Sequence, residues 1–197
     1  MKRLSVLLLF VIIIWFLVFR DDSVTLGPGV TAPDVPLQEK IDSPVSFPFK
    51  DYTITPLAKF SIRAKVLSRE EYSFGREAEL SPLDLALGWG TMSDEDVLDS
   101  IEIWQTGRWY RWQAKTFPIP RKDIETQSAN MHMVPADSYI EDLMDDARKG
   151  DLVEFSGSLV KIEADDGWRW ISSQTRNDTG ARACEVVWVD DFRVIEY

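Results

Sequence analysis

Two hydrophobic patterns divide this chain. Residues 4–19 form an almost unbroken apolar run, whereas residues 60–67 alternate between apolar and polar side chains. The first pattern is typical of a membrane segment, and strict alternation is typical of a half-buried β-strand. The sequence therefore predicts a hydrophobic N-terminal segment followed by a domain built mainly from strands.

Charged residues flank the apolar run. Lys2 and Arg3 precede it and Arg20 follows it, without the small residues that mark a signal-peptide cleavage site. As a helix the run rises about 24 Å, and long basic side chains can extend its reach to the headgroups. Basic residues before the run favour a cytoplasmic N-terminus. We expect residues 1–20 to be an uncleaved single-pass transmembrane anchor, with a signal peptide cut at an unrecognised site as the alternative.

Proline is concentrated just after this anchor. Residues 21–56 hold six of the ten prolines in the chain. Proline lacks a backbone N–H, disfavours helices and central strands, and stiffens a chain toward an extended form. The sequence therefore predicts a Pro-rich extended linker at 21–56 and a folded domain at 57–197.

The remaining pattern predicts short helices among several strands. Helices are expected at 82–87, from Ser93 onward and around 140–147; strands are expected at 124–134, 151–163, 168–172, 184–189 and 192–197, with a hairpin at 101–115 that turns at Thr106-Gly107. A helix before a long strand with a glycine bend at Gly157 is the order of the oligonucleotide/oligosaccharide-binding (OB) fold. The expected fold class is mainly β with short helices (α+β), as a small OB-like β-barrel.

Several segments resemble those of known proteins. Residues 84–90 (DLALGWG), 128–132 (SANMH) and 178–180 (DTG) are similar to segments in a group of uncharacterised, membrane-anchored bacterial proteins with an OB-fold-like domain. Residues 149–160 resemble the entry to the fourth strand of such domains. The likeness spans most of 52–197. It implies a fold and a location, and it implies no activity.

Composition narrows the location and the partners. The 22 Lys and Arg and 33 Asp and Glu give a net charge of −11. Because residues 1–20 contain three of the basic residues and no acid, the rest of the chain carries −14. Such a surface disfavours nucleic acid as a partner. The single cysteine allows no internal disulfide, so a domain outside the cytoplasm points to a bacterial periplasm.

Catalysis has one candidate pair. Cys184 and His132 are the only residues of their kinds, and Asn130 could orient the imidazole of a thiolate–histidine pair. No activating motif surrounds Cys184, and a cysteine in a strand pattern is commonly a small buried hydrophobe. One histidine and one cysteine do not make a zinc site, and no acidic cluster has EF-hand spacing. We therefore predict no metal and no cofactor.

An acid-free stretch at 103–122 is the best candidate for binding. It interleaves cations with aromatic side chains, a mixture that suits anionic partners which also stack. The binding candidates are Arg108, Trp109, Arg111, Trp112 and Lys115. Strand alternation places Trp109 and Arg111 on one side and Trp112 on the other, so one of these sets belongs to the core. Trp89, between two glycines, is either exposed in a loop or buried as a plug.

Together these features favour a membrane-tethered, extracytoplasmic binding or accessory domain. Its expected partner is another membrane or envelope protein, because a shared membrane raises the effective concentration of both. The alternatives are an enzyme (a Cys/His hydrolase or transferase, or a barrel nuclease) and a module that recognises glycans or single-stranded nucleic acid.

Overall fold

The computed structural model describes residues 23–175 and 184–196. The domain is mainly β with a few short helices, as the sequence predicted. The strands are β1 (Leu37–Lys40), β2 (Phe47–Phe49), β3 (Tyr52–Glu71), β4 (Leu83–Gly88), β5 (Glu102–Thr106), β6 (Trp109–Gln113), β7 (Ser128–Pro135), β8 (Leu152–Ala164), β9 (Arg169–Ile171) and β10 (Glu185–Val194). The helices are α1 (Arg76–Leu80), α2 (Glu95–Leu98), α3 (Arg121–Thr126) and α4 (Ser138–Asp145), with a 3₁₀ turn at Gly90–Ser93.

The long strand β3 organises the main sheet. Its residues 52–65 pair with β8, and residues 65–71 pair with β4, with register shifts at Pro56/Ala58 and Val66/Ser68. Strand β4 runs antiparallel to β7, β7 runs parallel to β10, and β10 runs antiparallel to β8. The pairings therefore form a closed path through five strands, from β3 through β4, β7, β10 and β8 back to β3.

The predicted special role of Gly157 is visible where β8 meets β10. A Cβ on Gly157 would overlap the backbone carbonyl of Trp188, so the close approach requires glycine. The register shift itself lies on the facing strand, between Val189 and Asp191. Because of this bulge, the two C-terminal strands predicted at 184–189 and 192–197 are one bent strand.

Side chains from the five paired strands and from α4 form the main core. Helix α4 begins at a cap in which Asp137 Oδ1 accepts the N–H of Ile140 at 2.9 Å, and it buries Ile140 and Met144. Two smaller apolar clusters lie elsewhere. In one, Phe47 of β2 packs edge-on against Trp188, with ring centroids 5.0 Å apart. The other lies beneath the hairpin β5–β6.

The predicted helix at 82–87 is wrong, because this segment is strand β4. Its side chains are buried on both faces: Leu83, Leu85 and Leu87 point into the main core, and Ala86 belongs to the cluster beneath the hairpin. A strand covered on both faces lacks the alternation that identifies strands in a sequence. Ser81 is not a helix N-cap but the C-cap of α1.

Much of the predicted extended linker at 21–56 is bonded to the domain. The N–H of Val24 donates to the Lys149 carbonyl at 2.8 Å, and the N–H of Ala32 donates to Ser93 Oγ at 3.0 Å. Strands β1 and β2 both pair with β3. Proline removes only its own donor, so the residues between the prolines still form these bonds.

A buried ion pair fixes the start of this segment. Lys65 Nζ lies 2.8 Å from Glu95 Oε1, and the Lys65 side chain is 3% exposed. The N–H groups of Leu26 and Gly27 also donate to the Glu95 carboxylate. Burial acts to raise the pKa of Glu95, but these hydrogen bonds and the Lys65 charge outweigh it, so the pKa is lowered. Residues 24–32 are thus held on the domain surface.

The predicted anchor at 1–20 lies outside the described residues. Within 23–175 and 184–196, no helix has the length and apolarity needed to cross a membrane.

Candidate functional site

The hairpin β5–β6 forms a separate two-stranded sheet. In the sequence it lies between β4 and β7, which pair directly with each other. Its turn residues are Gly107 and Arg108, with φ values of 56° and 71°. Two positive φ angles are typical of a type I′ turn, whose twist suits a two-residue hairpin. The left-handed region costs a non-glycine residue about 1–2 kcal/mol, so Arg108 is held there by other contacts.

Those contacts surround the Arg108 guanidinium. Its Nη1 donates to Asp84 Oδ1 at 2.6 Å, and its Nη2 donates to the Ser81 carbonyl at 2.9 Å. The guanidinium carbon also lies 3.7 Å from the ring centroid of Tyr72, whose hydroxyl oxygen accepts the Arg108 N–H at 2.9 Å. Asp84 is fully buried, so its charge depends on this pairing.

More polar side chains complete the surroundings of Asp84. His132 Nδ1 lies 2.9 Å from Asp84 Oδ2, close enough for an ion pair when the imidazole is protonated. Gln105 donates to Asn130 Oδ1 at 2.6 Å, and Asn130 Nδ2 lies 3.5 Å from Asp84 Oδ2. We call these residues the Asp84 cluster: Ser81, Asp84, Gln105, Arg108, Asn130 and His132. The cluster ties the turn of the hairpin to β4 and β7.

A groove of about 620 Å³ begins beside this cluster. Six consecutive residues of β6 and its continuation, 109–114, form one wall. Parts of α3 and β7 and the start of β10 line the rest, together with Trp104, Phe117, Thr175 and Cys184. Trp104 and Trp109 are 36% and 40% exposed. We call this feature the hairpin groove. It offers aromatic surface at the edge of a small sheet.

Strand alternation separates the core side of the hairpin from its outer side. Tyr110 and Trp112 pack on the apolar cluster beneath the hairpin, whereas Trp109 and Arg111 are exposed. Tyr110 donates a hydrogen bond to Ser128 Oγ at 3.0 Å, and its burial raises the pKa of the phenol to about 12. The core set is therefore Tyr110 and Trp112.

Cations near the groove differ in how they are paired. Arg121 Nε donates to Glu125 at 2.8 Å, and its guanidinium lies 5.7 Å from the Trp112 ring centroid. Arg111, Lys115 and Lys122 are exposed and form no ion pair with any residue in 23–175 or 184–196. The acid-free stretch thus leaves positive charge available on a strongly acidic domain.

The structure separates the predicted binding residues into three groups. Trp109, Arg111 and Trp112 line the hairpin groove, and Lys115 is exposed just after β6. The other two candidates need correction. The guanidinium of Arg108 forms an ion pair with Asp84. Trp89 is 1% exposed and lies in the main core. Neither side chain is therefore presented to a partner.

The predicted catalytic residues lie near one another in the fold, with Asn130 and His132 on β7 and Cys184 immediately before the neighbouring strand β10. Cys184 is half-buried at the end of the groove, with Sγ 3.9 Å from both Asn130 Nδ2 and the Arg108 carbonyl. The residue beside His132 Nδ1 is Asp84 rather than the expected Asn130. The imidazole packs against Trp170, with ring centroids 4.8 Å apart. No group of three or more potential metal ligands occurs among the described residues.

Sequence reasoning missed Asp84, Gln105 and Tyr72. Asp84 left one signal, because a single acid stands within the apolar segment 83–87. A carboxylate in such a segment is expected to be buried and paired. Its partner Arg108 is 24 residues away in sequence, with no local pattern to connect the two.

No family model matches the chain, and comparisons with curated proteins and with solved structures found no significant match.

Proposed function

We propose that this chain is a membrane-tethered extracytoplasmic domain that binds another membrane or envelope protein through the hairpin groove. The observation that carries this proposal is the pair of half-exposed tryptophans, Trp104 and Trp109, on an acidic domain. They lie beside cations that form no ion pair with the residues the structure describes. Aromatic and arginine side chains are enriched where proteins bind each other.

The order of strands supports an OB-like barrel as the framework. The closed path of five strands, the parallel pair β7–β10 and a helix between β7 and β8 together match that fold. An OB domain commonly binds its ligand on the second and third strands, which are β4 and β7 here. The Asp84 cluster and the hairpin cover the outer face of these strands, so we place the binding site beside the hairpin instead.

Burial argues against catalysis at the Asp84 cluster. A carboxylate beside a histidine Nδ1 occurs in catalytic triads. Here Asp84 is fully buried and His132 is 4% exposed, with Trp170 packed against the ring. Asp84 also balances the charge of Arg108, a role that the stability of the hairpin turn requires. The cluster is therefore better explained as the support of the groove.

A photo-crosslinker tests the site. We would place p-benzoylphenylalanine at Trp109 in the full chain in native membranes, with Tyr139 on α4, which is 67% exposed, as the matched control position. We expect one discrete crosslinked protein from position 109 and none from 139, and a weaker product in added salt because screening reduces charge attraction. Equal products from both positions, or none from 109, would contradict the proposal.

We further propose that residues 1–20 anchor the chain in a bacterial inner membrane with the domain in the periplasm. Because Val24 is bonded to Lys149, the corner of the domain around these two residues then lies close to the bilayer. A reporter that is active only in the periplasm, fused after Tyr197, should be active. A mature protein that begins downstream of residue 20, detected by mass spectrometry, would disprove the anchor.

A further inference from the structure

The hairpin groove runs along one edge of strand β6. Successive side chains of a strand point to opposite faces, so a pocket on one face is lined by alternate residues only. Residues 109–114 all line the groove without a gap. The groove therefore lies along the edge of the strand, where the backbone N–H and C=O groups of β6 are located. Within the described residues β6 pairs only with β5, which leaves this side of the strand without a partner strand.

The register of the hairpin identifies the backbone groups on that edge. A two-residue turn makes Thr106 and Trp109 a hydrogen-bonded pair. The pairs that exchange hydrogen bonds alternate with those that do not, so Arg111 and Gln113 also bond to β5. The N–H and C=O groups of Tyr110 and Trp112 point the other way, toward the groove.

The side chains of β6 indicate which side chains a strand added at this edge would carry. An added strand continues the pleat of the sheet, so alternate residues of it lie beside Trp109 and Arg111 on the outer face. Arg111 has no ion pair among the described residues. An acidic residue of the added strand beside Arg111 would supply its counter-charge. The alternate positions face the side of Tyr110 and Trp112, where the groove is lined by polar as well as apolar side chains and Tyr110 bonds to Ser128.

We propose that an extended acidic segment of the partner protein pairs with β6 as the third strand of the hairpin sheet. This inference rests on the proposed function, since it states how the same groove binds. Strand addition takes affinity from main-chain hydrogen bonds and specificity from alternate side chains. Strand β6 has five residues and spans about 17 Å, so the paired part of the segment is about five residues long. Nucleic acids and glycans lack the alternating N–H and C=O groups that this edge would pair with.

A random twelve-residue peptide library is the probe for this proposal. Peptides would be selected on the full chain in detergent micelles and counter-selected on a Trp109→Ala variant, so that only groove binders remain. We expect the selected peptides to share an acidic residue at the position that lies beside Arg111. N-methylation of each peptide residue in turn should weaken binding about tenfold where the N–H pairs with β6, and little at the residues between.

Amide exchange gives an independent reading of the same pairing. On binding of a selected peptide, NMR should show slower exchange for the N–H groups of Tyr110 and Trp112. The N–H groups of Arg111 and Gln113 should change little, since they already bond to β5, and those of the outer strand β1 serve as a control away from the groove.

The outcomes separate the mode of binding from the function itself. If groove-dependent peptides bind but N-methylation has no alternating effect, strand addition is wrong and the groove binds through side chains. If a second copy of the domain protects Tyr110 and Trp112 as the concentration rises, the occupant is the chain itself and the proposal of an acidic partner is overturned. If no peptide depends on Trp109 and crosslinking from position 109 also fails, the proposed function is wrong.

Discussion

Arg108 and Arg111 lie three residues apart on one hairpin, yet the two regions around them are opposite in character. Arg108 is 18% exposed and donates to a fully buried carboxylate, whereas Arg111 is exposed and has no ion pair among the described residues. The turn end of the hairpin is fixed by polar contacts, and in the described part of the chain the edge of β6 has no partner strand. The comparison shows that a region fixed by paired polar groups can hold a neighbouring region whose side chains are left exposed.

The largest expected effect comes from breaking the buried end. Asp84→Asn removes the charge that balances Arg108, and losing one partner of a buried pair costs about 3–5 kcal/mol. Urea unfolding of the variant should show a lower transition midpoint. The matched control is Asp166→Asn, which removes an exposed partner of Arg76 and should change stability little. An unchanged midpoint for Asp84→Asn would show that the Asp84 cluster does not support the fold.

Alkaline pH should affect the core side of the hairpin. The pKa of Tyr110 is raised to about 12 by burial, so the folded state keeps a proton that the unfolded chain releases near pH 10. The free energy of unfolding therefore includes a contribution that is complete below pH 10 and is lost as pH rises toward 12. At pH 11 this loss is about 1 kcal/mol.

The control for this prediction is Tyr110→Phe, which cannot ionise. Subtracting its stability profile from that of the parent chain cancels the titration of the other groups. The remaining difference should decline between pH 10 and pH 12. A flat difference would show that Tyr110 is not enclosed beneath the hairpin.

The smallest effect on stability is expected at the open edge. Arg111→Gln should change the free energy of unfolding by less than about 0.5 kcal/mol, because the side chain is exposed and has no ion pair among the described residues. The same variant should lose most of the crosslinked product formed from position 109. Lys59→Gln, which removes an exposed cation from β3, is the control and should leave both quantities unchanged. A large stability loss in Arg111→Gln would show that both ends of the hairpin are structural.

Much of the fold was readable from the sequence because its signals are local. The alternation at 60–67 lies within β3, the cap at Asp137 begins α4, and the hairpin occurs where it was expected, with its turn moved by one residue to Gly107-Arg108. Strand β4 was missed because both of its faces are buried. Because the segment 82–87 was predicted as a helix, the contact between Asp84 on strand β4 and the hairpin turn could not be foreseen.

The candidate site was found in part. The acid-free stretch 103–122 contains the strand that lines the hairpin groove, but its charges and aromatic rings could not be sorted by spacing alone. Alternation gives the hairpin two faces without saying which one is covered, and the covered face proved to hold Tyr110 and Trp112. Trp89 and Arg108 resembled binding residues for the same reason.

By itself the sequence determined a mainly β, acidic domain with an apolar N-terminal segment and a cation-rich hairpin, because composition and period are properties of neighbouring residues. Only the tertiary structure decided which cation is buried and which edge is open. Those outcomes depend on contacts between distant residues, such as Asp84 with Arg108 and Tyr110 with Ser128. A side chain is free for a partner only when the fold has not already paired it, and that is settled by the packing of the whole domain.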